Sequence, residues 1–247
     1  MLEAEIIGIK YHRLLTNGIT LESTAVLKHD YDYSFIVSYN NEFIDNDYNV
    51  VEKQSCIIDV TQGEDNIIKG FNSTSRNELR RTYKTPGLEF HFGYSNFEKY
   101  YLFYKSCELA RGWYPVPENE LGNCLLFTAS FEGEYISGMS CYFGEDVIRV
   151  SRIYSNKKIN SNPLITGTIY GSAAKRLVFD ICNYAINNNF KKVDLGGVDF
   201  SDPAKEGISR FKTSLGGEIL PVKLARYTNA NYEQKKAQVF EMGYDIT

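Results

Sequence analysis

The apolar positions change period several times along the chain, and the changes mark out its elements. Alternation predicts strands at Ala4–Leu15, Ile19–Lys28 and Tyr33–Tyr39, a β meander whose first hairpin turns at Asn17-Gly18. The polar stretch Asn40–Asn49 reads as a loop and Ser55–Val60 as a further short strand. Two short helices follow, each opened by a capping box: Thr61-Gln62-Gly63-Glu64 and Ser75-Arg76-Asn77-Glu78. The second ends before Pro86-Gly87.

From Leu88 the pattern is stronger. Leu88–Gly93 alternates as a strand, and Ser95-Asn96-Phe97-Glu98 opens a helix carrying Phe97, Tyr101, Tyr104 and Cys107 that stops at Gly112. Three antiparallel strands come next, Cys124–Phe131, Tyr135–Phe143 and Val147–Tyr154. In the last of them alternation breaks at Arg149, Ser151 and Arg152, which a β-bulge near Ser151 explains. A polar loop, Ser155–Pro163, leads to the longest helix, about Thr166–Asn188, with a wide apolar face from Tyr170 to Ala185. A buried strand, Lys192–Leu195, breaks at Gly196-Gly197, where backbone can approach backbone or ligand closely. Pro203 opens a helix with Ile208, Phe211 and Leu215 on one stripe, and Gly216-Gly217 stops it. A strand at Glu218–Tyr227 and a polar helix near Tyr232–Met242 complete the series. The fold class is α+β, a mixed sheet covered by helices, with a β-rich part at 1–87 and a second part at 88–247.

Composition narrows the function. The 247 residues suffice for a full core, and 43% hydrophobic with 23% charged residues is ordinary for a soluble globular protein. A net charge of −4 disfavours an extended polyanion-binding face, so no DNA partner is expected. Five scattered cysteines and three histidines show no metal-ligand spacing, so no metal is expected. The cysteine usage fits a reducing compartment, and no run approaches membrane-spanning length; the reading is cytoplasmic.

Three stretches suggest chemistry. Arg76, Arg80 and Lys84 share one helical face, either a solvated stripe or a grip on a substrate phosphate. Trp113-Tyr114-Pro115 either lines a cleft or plugs a helix end. In the Gly-Gly segment, alternation sets Asp194 opposite Val193 and Leu195, facing a cleft or solvent, while Asp199 sits in the following loop, where it can cap the turn. Both are candidates to orient or deprotonate an amine.

The run Asp194-Leu195-Gly196-Gly197-Val198, then Gly207-x-x-x-Phe211-Lys212, then Leu215-Gly216-Gly217, resembles the FemABX family, peptidoglycan-bridge aminoacyltransferases of the GNAT (N-acetyltransferase-like) superfamily. Ser75–Arg81 resembles a second family segment, and the match in order spans residues 56–227. The resemblance implies a GNAT-like acyltransferase fold at 88–247, with the N-terminal part an extra β module or an abbreviated first GNAT half; the helical arm of some members is missing. It implies that Val147–Tyr154 and Lys192–Gly197 splay apart to admit the acyl donor, with the bulge at Ser151 exposing backbone N–H groups to the acyl carbonyl. It implies that Lys212 contacts the donor or stabilises charge there, positioned by Phe211, with Gly196 and Gly197 beside it. The acetyl-CoA signature expected before the long helix is imperfect, although Gly167 and the helix N-terminus there are able to hold a phosphate. The implied activity is transfer of an acyl group from acyl-CoA (acetyl-CoA) or a related thioester to an amine of a cell-wall or surface-polysaccharide precursor, the acceptor small or nucleotide-linked. The alternatives are an aminoacyl-tRNA donor, and a non-catalytic binding protein that kept the fold.

Overall fold

The protein is described by a computed structural model that covers residues 1–18, 21–40 and 45–246. Among these residues one mixed sheet of ten strands runs through the whole molecule in the order β1-β2-β3-β10-β4-β9-β8-β7-β6-β5. The strands are β1 (Leu2–Ile6), β2 (Ile9–Thr16), β3 (Tyr33–Ser38), β4 (Asn49–Asp59), β5 (Leu88–Phe92), β6 (Leu125–Phe131), β7 (Glu134–Phe143), β8 (Val147–Ser155), β9 (Lys192–Gly197) and β10 (Glu218–Thr228). The helices are α1 (Leu21–Asp30), α2 (Glu64–Gly70), α3 (Ser73–Thr82), α4 (Phe97–Ala110), α5 (Glu118–Gly122), α6 (Gly167–Asn187), α7 (Pro203–Thr213) and α8 (Ala230–Glu241). None of them is long and apolar enough to cross a membrane.

The C-terminal elements follow the sequence pattern closely. Alternation assigns the two sheet faces: Phe127 and Ala129 of β6 join the core under α6, whereas Leu126, one residue before Phe127, packs with α4. The apolar face of α6 (Leu177, Val178, Ile181, Cys182, Ala185) is fully buried on one side of the sheet, and α3 packs on its outer side. A cluster of α4 tyrosines (Tyr100, Tyr101, Tyr104) covers the other side, and Tyr232 and Val239 of α8 join a second cluster with β2, β3 and Tyr142.

The N-terminal part departs from the expected meander. The segment Ala4–Leu15 is two strands, because Ile7 and Gly8 both take positive φ (46° and 72°) and close a two-residue hairpin between Ile6 and Ile9. The segment expected as a strand at Ile19–Lys28 is α1, apart from Ile19 and Thr20, which lie outside the described residues. Asn17-Gly18 therefore closes no hairpin; β2 and β3 run parallel, joined through α1. Thr24 and Leu27 of α1 are its buried residues, a helical spacing of three. Residues 41–44 of the expected loop lie outside the described residues, and β4 begins at Asn49, earlier than Ser55. The boundary placed between residues 87 and 88 falls at the turn before β5, and the sheet continues across it, with β4 beside β9 and β10 between β3 and β4.

The helix caps also differ. Thr61 does not cap α2: its N–H and hydroxyl both donate to Asp59, and Gly63 occupies the cap position with no side-chain bond. Asn72, not Ser75, caps α3, accepting from the Ser75 N–H at 2.8 Å, and Asn96, not Ser95, caps α4. Asparagine's carbonyl is among the best acceptors at that position.

Candidate active site

β8 and β9 pair in parallel over three positions, Val147–Lys192, Ile148–Val193 and Arg149–Asp194, and then part. Beyond them β9 leans towards β4, where Ser55 faces Gly197, while β8 stays on β7. Along β8, Ser140 of β7 faces Arg152 and Cys141 faces Val150, which leaves Ser151 bulged and without a partner. The bulge explains the broken alternation. Ile148 and Val150 face the α6 side before it; after it the phase resets, so Ile153 faces that side and Arg152 the other.

At the vertex of the parting strands sits a buried ion pair. Asp194 is fully buried on the face opposite Val193 and Leu195. It accepts hydrogen bonds from Tyr39 Oη (2.8 Å), Ser55 Oγ (2.5 Å), the Gly196 N–H (2.7 Å) and the Arg149 guanidinium. The bond from its own residue-plus-two N–H turns the chain, and Gly196 takes φ 85°, a conformation costly to any residue with a Cβ. A Cβ there would also stand 3.3 Å from the Lys212 ammonium. Asp194 is thus held as an anchor by four donors.

Lys212 lies on α7, whose cap Asp202 accepts from the Ala204 N–H at 2.9 Å and whose first residue is Pro203. The segment after α7 settles on the end of α2, because Gly216 passes so close to Gly70 that a Cβ would lie 2.5 Å from its carbonyl carbon. The expected stripe of Ile208, Phe211 and Leu215 is corrected by this packing. Ser209, Lys212 and Leu215 are the buried residues, Ile208 is 40% exposed at the cleft, and Phe211 is partly buried under the Lys175 ammonium. Lys212 is 8% exposed and donates to the Gly197 carbonyl at 2.8 Å. Burial first, and the Arg149 charge second, pull its ammonium down to about 8, against the opposing influence of Asp194 and Cys56.

The gap between the strands opens into a cleft of about 990 Å³. Its lining brings together Ser151, Gly196, Gly197, Lys212 and Trp113 of the residues singled out from sequence. The others lie apart from it. Asp199 accepts from the Ser201 hydroxyl and N–H, which hold its carboxyl below the usual range, so it caps its own loop. Gly167 opens α6 outside the lining. Arg76 donates to the Lys69 and Phe71 carbonyls, closing the end of α2, and Arg80 reaches Asn77 at 3.4 Å.

Sequence reasoning missed several cleft residues. Arg149 and Arg152 were visible as polar breaks in a strand but not as site residues. Arg13 comes from β2, paired with Glu120 at 2.9 Å, and Asp245 comes from the C-terminal segment; neither carries a local sequence signal. Arg152 binds Asp245 at 2.9 Å and Glu108 at 3.2 Å, and Arg111, reaching the same Glu108, lies 4.1 Å from the centre of the Trp113 ring. Burial raises the Glu108 carboxyl even against these two arginines.

A mixed sheet with two central strands splayed beside a bulge is a GNAT-like fold, and the chain has it. Its form is FemABX-like. The structure of FemX aligns over 95% of this chain and 85% of its own, with a TM-score of 0.60 at 11% identity. The C-terminal domain of a lysylphosphatidylglycerol synthetase from Agrobacterium fabrum aligns over 88% of this chain and 75% of its own, with a TM-score of 0.56 at 10% identity. L-PGS from Bacillus licheniformis aligns over 91% and 77%, with a TM-score of 0.50 at 14% identity. At such identities the likeness is one of fold. No protein-family description matches the chain, and no curated protein does.

Proposed function

We propose that the protein is a cytoplasmic N-acyltransferase that moves an acyl group from acyl-CoA or a related thioester to an amine of a cell-wall or surface-polysaccharide precursor. The observation that carries the reading is the parting of β8 and β9 next to a buried lysine with a lowered pKa. From Val150 onward the β8 edge has no β9 partner, so its backbone groups face the cleft. An acyl arm laid along that edge meets N–H donors at its carbonyl, and the Lys212 ammonium stands near Gly196 to balance developing negative charge. In the reaction the acceptor nitrogen bonds to the acyl carbon and the carbon–sulfur bond breaks. An acceptor that arrives as an ammonium gives up two protons, one taken by the departing thiolate and one released to solvent. With its pKa near 8, Lys212 is mostly charged at neutral pH and acts as the electrostatic partner of the thiolate or oxyanion.

A second donor is supported by the fold. FemX aligns over nearly the whole chain, and the name of the synthetase domain records a lysyl product. Six cations among the described residues line the cleft (Arg13, Arg111, Arg149, Arg152, Lys205 and Lys212), which suits the phosphates of an aminoacyl-tRNA end as well as those of CoA. Thermal unfolding with acetyl-CoA or with charged tRNA separates the two donors. A rise in Tm with acetyl-CoA that is insensitive to RNA supports the thioester. A rise with charged tRNA that collapses with salt supports the alternative. No rise with either gives the lead to the non-catalytic binding protein.

A further inference from the structure

We propose that the wall of the cleft built from the α4–α5 loop and the C-terminal segment is an ammonium-binding subsite, with Asp245 as its anion and the rings of Trp113, Tyr114 and Phe240 as its sides. The inference deepens the transferase reading and rests on it only in calling the bound molecule the acceptor.

Charge distribution is the first argument. Among the described residues lining the cleft, Asp245 is the single carboxylate against the six cations. The other carboxylates that pair with these cations, such as Glu120 with Arg13, Asp194 with Arg149 and Asp202 with Lys205, stand behind the lining; Asp245, although bound by Arg152, reaches the cleft itself, so a cationic group meets an opposite charge there. Construction is the second. The Asp245 N–H donates to the Pro115 carbonyl at 3.0 Å, and Ile246 is buried, so the tail is fastened to the loop that carries the aromatic residues. The Tyr114 and Phe240 rings lie 6.2 Å apart across that seam. The carboxylate and the indole are also linked below the surface, through Arg152, the buried Glu108 and Arg111, which stacks on Trp113.

Exposure is the third. Trp113, Tyr114 and Phe240 are 50%, 47% and 41% exposed, large rings left open at a cleft mouth. Ring faces attract a cation, most strongly where water is partly excluded, and a carboxylate beside them completes the recognition of a primary ammonium. The ligand class is therefore an amine in its charged form on a carrier that tolerates the surrounding arginines, such as an amino-sugar phosphate or a peptide lysine. The subsite recognises; no bond forms or breaks there.

The test is binding by the full-length protein of two matched probe pairs: glucosamine 6-phosphate against N-acetylglucosamine 6-phosphate, and Nα-acetyllysine against Nα,Nε-diacetyllysine, followed by calorimetry and by NMR. Within at least one pair the charged amine should bind about tenfold more tightly, a typical worth for a partly desolvated charge and cation–π contact. Asp245→Asn should erase that preference without changing affinity for the acetylated probe, and Asp245→Glu should restore part of it. Because Asp245→Asn also frees Arg152, Phe240→Leu serves as a second variant that leaves the ion pair intact; it should weaken the charged probe severalfold. Equal affinities within both pairs, or a preference that survives both variants, overturn the proposal. The readout is independent of turnover. A protein that processes no donor can still show the subsite, and a transferase that binds its acceptor elsewhere will fail here while keeping its activity.

Discussion

Helices α3 and α7 look alike in sequence: each carries basic residues on an amphipathic turn and each lies in a segment resembling the same family. In the molecule they are opposites. The Arg76 guanidinium of α3 is bound to backbone carbonyls at the end of α2, on the outer flank of α6. The Lys212 ammonium of α7 is nearly buried, has one carbonyl acceptor and faces a cleft between parted strands. A cation whose donors are taken up by carbonyls is a structural cap. A cation desolvated beside a cavity is held at an energetic cost, and such costs cluster where chemistry happens.

The contrast can be broken most severely at the vertex. Asp194→Asn leaves Arg149 buried without its counter-charge, and breaking such a pair costs about 3–5 kcal/mol. Urea unfolding should show the loss; a midpoint within error of the native protein would mean that the pair does not hold the vertex.

Lys212→Met comes next. It keeps the stem and removes the charge, and should lower turnover about tenfold or more, as the loss of one electrostatic contact in the transition state commonly does. A stability effect follows that a surface lysine would not give. The folded pKa of about 8 lies below the ordinary 10.5, so the unfolded chain binds more protons between these values. Burial of Lys212 therefore weakens the fold below pH 8, and the penalty fades as pH rises towards 10.5. The Met variant should be more stable than native by about 1 kcal/mol or more at pH 7, with the gap closing at high pH. Equal stability at pH 7 and pH 10 would put Lys212 back among solvated lysines. If the proposed transfer is its activity, the kcat of the native protein should fall as pH passes about 8, because the charged form is the useful one; a kcat flat through pH 9 argues against that role.

Gly196→Ala probes the turn at the vertex. Positive φ costs a non-glycine residue about 1–2 kcal/mol, and the Cβ crowds the Lys212 ammonium, so both stability and turnover should drop. The smallest effect belongs to α3. Arg76→Gln should cost about 1 kcal/mol of stability through the lost carbonyl bonds. Arg76→Gln with Arg80→Gln also tests the proposal that these residues grip a substrate phosphate from outside the cleft: if they do, donor binding weakens and its salt dependence flattens, and unchanged binding across salt returns them to capping and solvated roles.

What could be read from sequence follows from how local the signals were. The 21-residue α6 and the strands around it carry long, regular periods, and the bulge announced itself through Arg149, Ser151 and Arg152. The Gly196-Gly197 break pointed to the cleft because a glycine pair at the end of a buried strand has few other uses. Helix α1 was hidden because it buries only Thr24 and Leu27, too little to override a β-branched, alternating look. The burial of Lys212 was hidden because it depends on how Gly216 lets α7 settle on Gly70, a contact between segments far apart in sequence. Asp245 was hidden entirely: a lone carboxylate in a tail acquires meaning only from the arginines it is folded against.

The place of β10 in the sheet has a consequence for how the molecule is made. It fills the slot between β3 and β4, so Tyr33–Ser38, paired on one side with β2, finds its other partner only in the strand that begins at residue 218, and β4 waits for β9 as well. While the ribosome is still adding the middle of the chain, these early strands expose edges with no native neighbour. Contacts of such long sequence separation form slowly, and unfilled strand edges invite pairing with other chains. A nascent chain of this protein therefore passes through a stage in which β3 and β4 need protection that only β9 and β10 can supply.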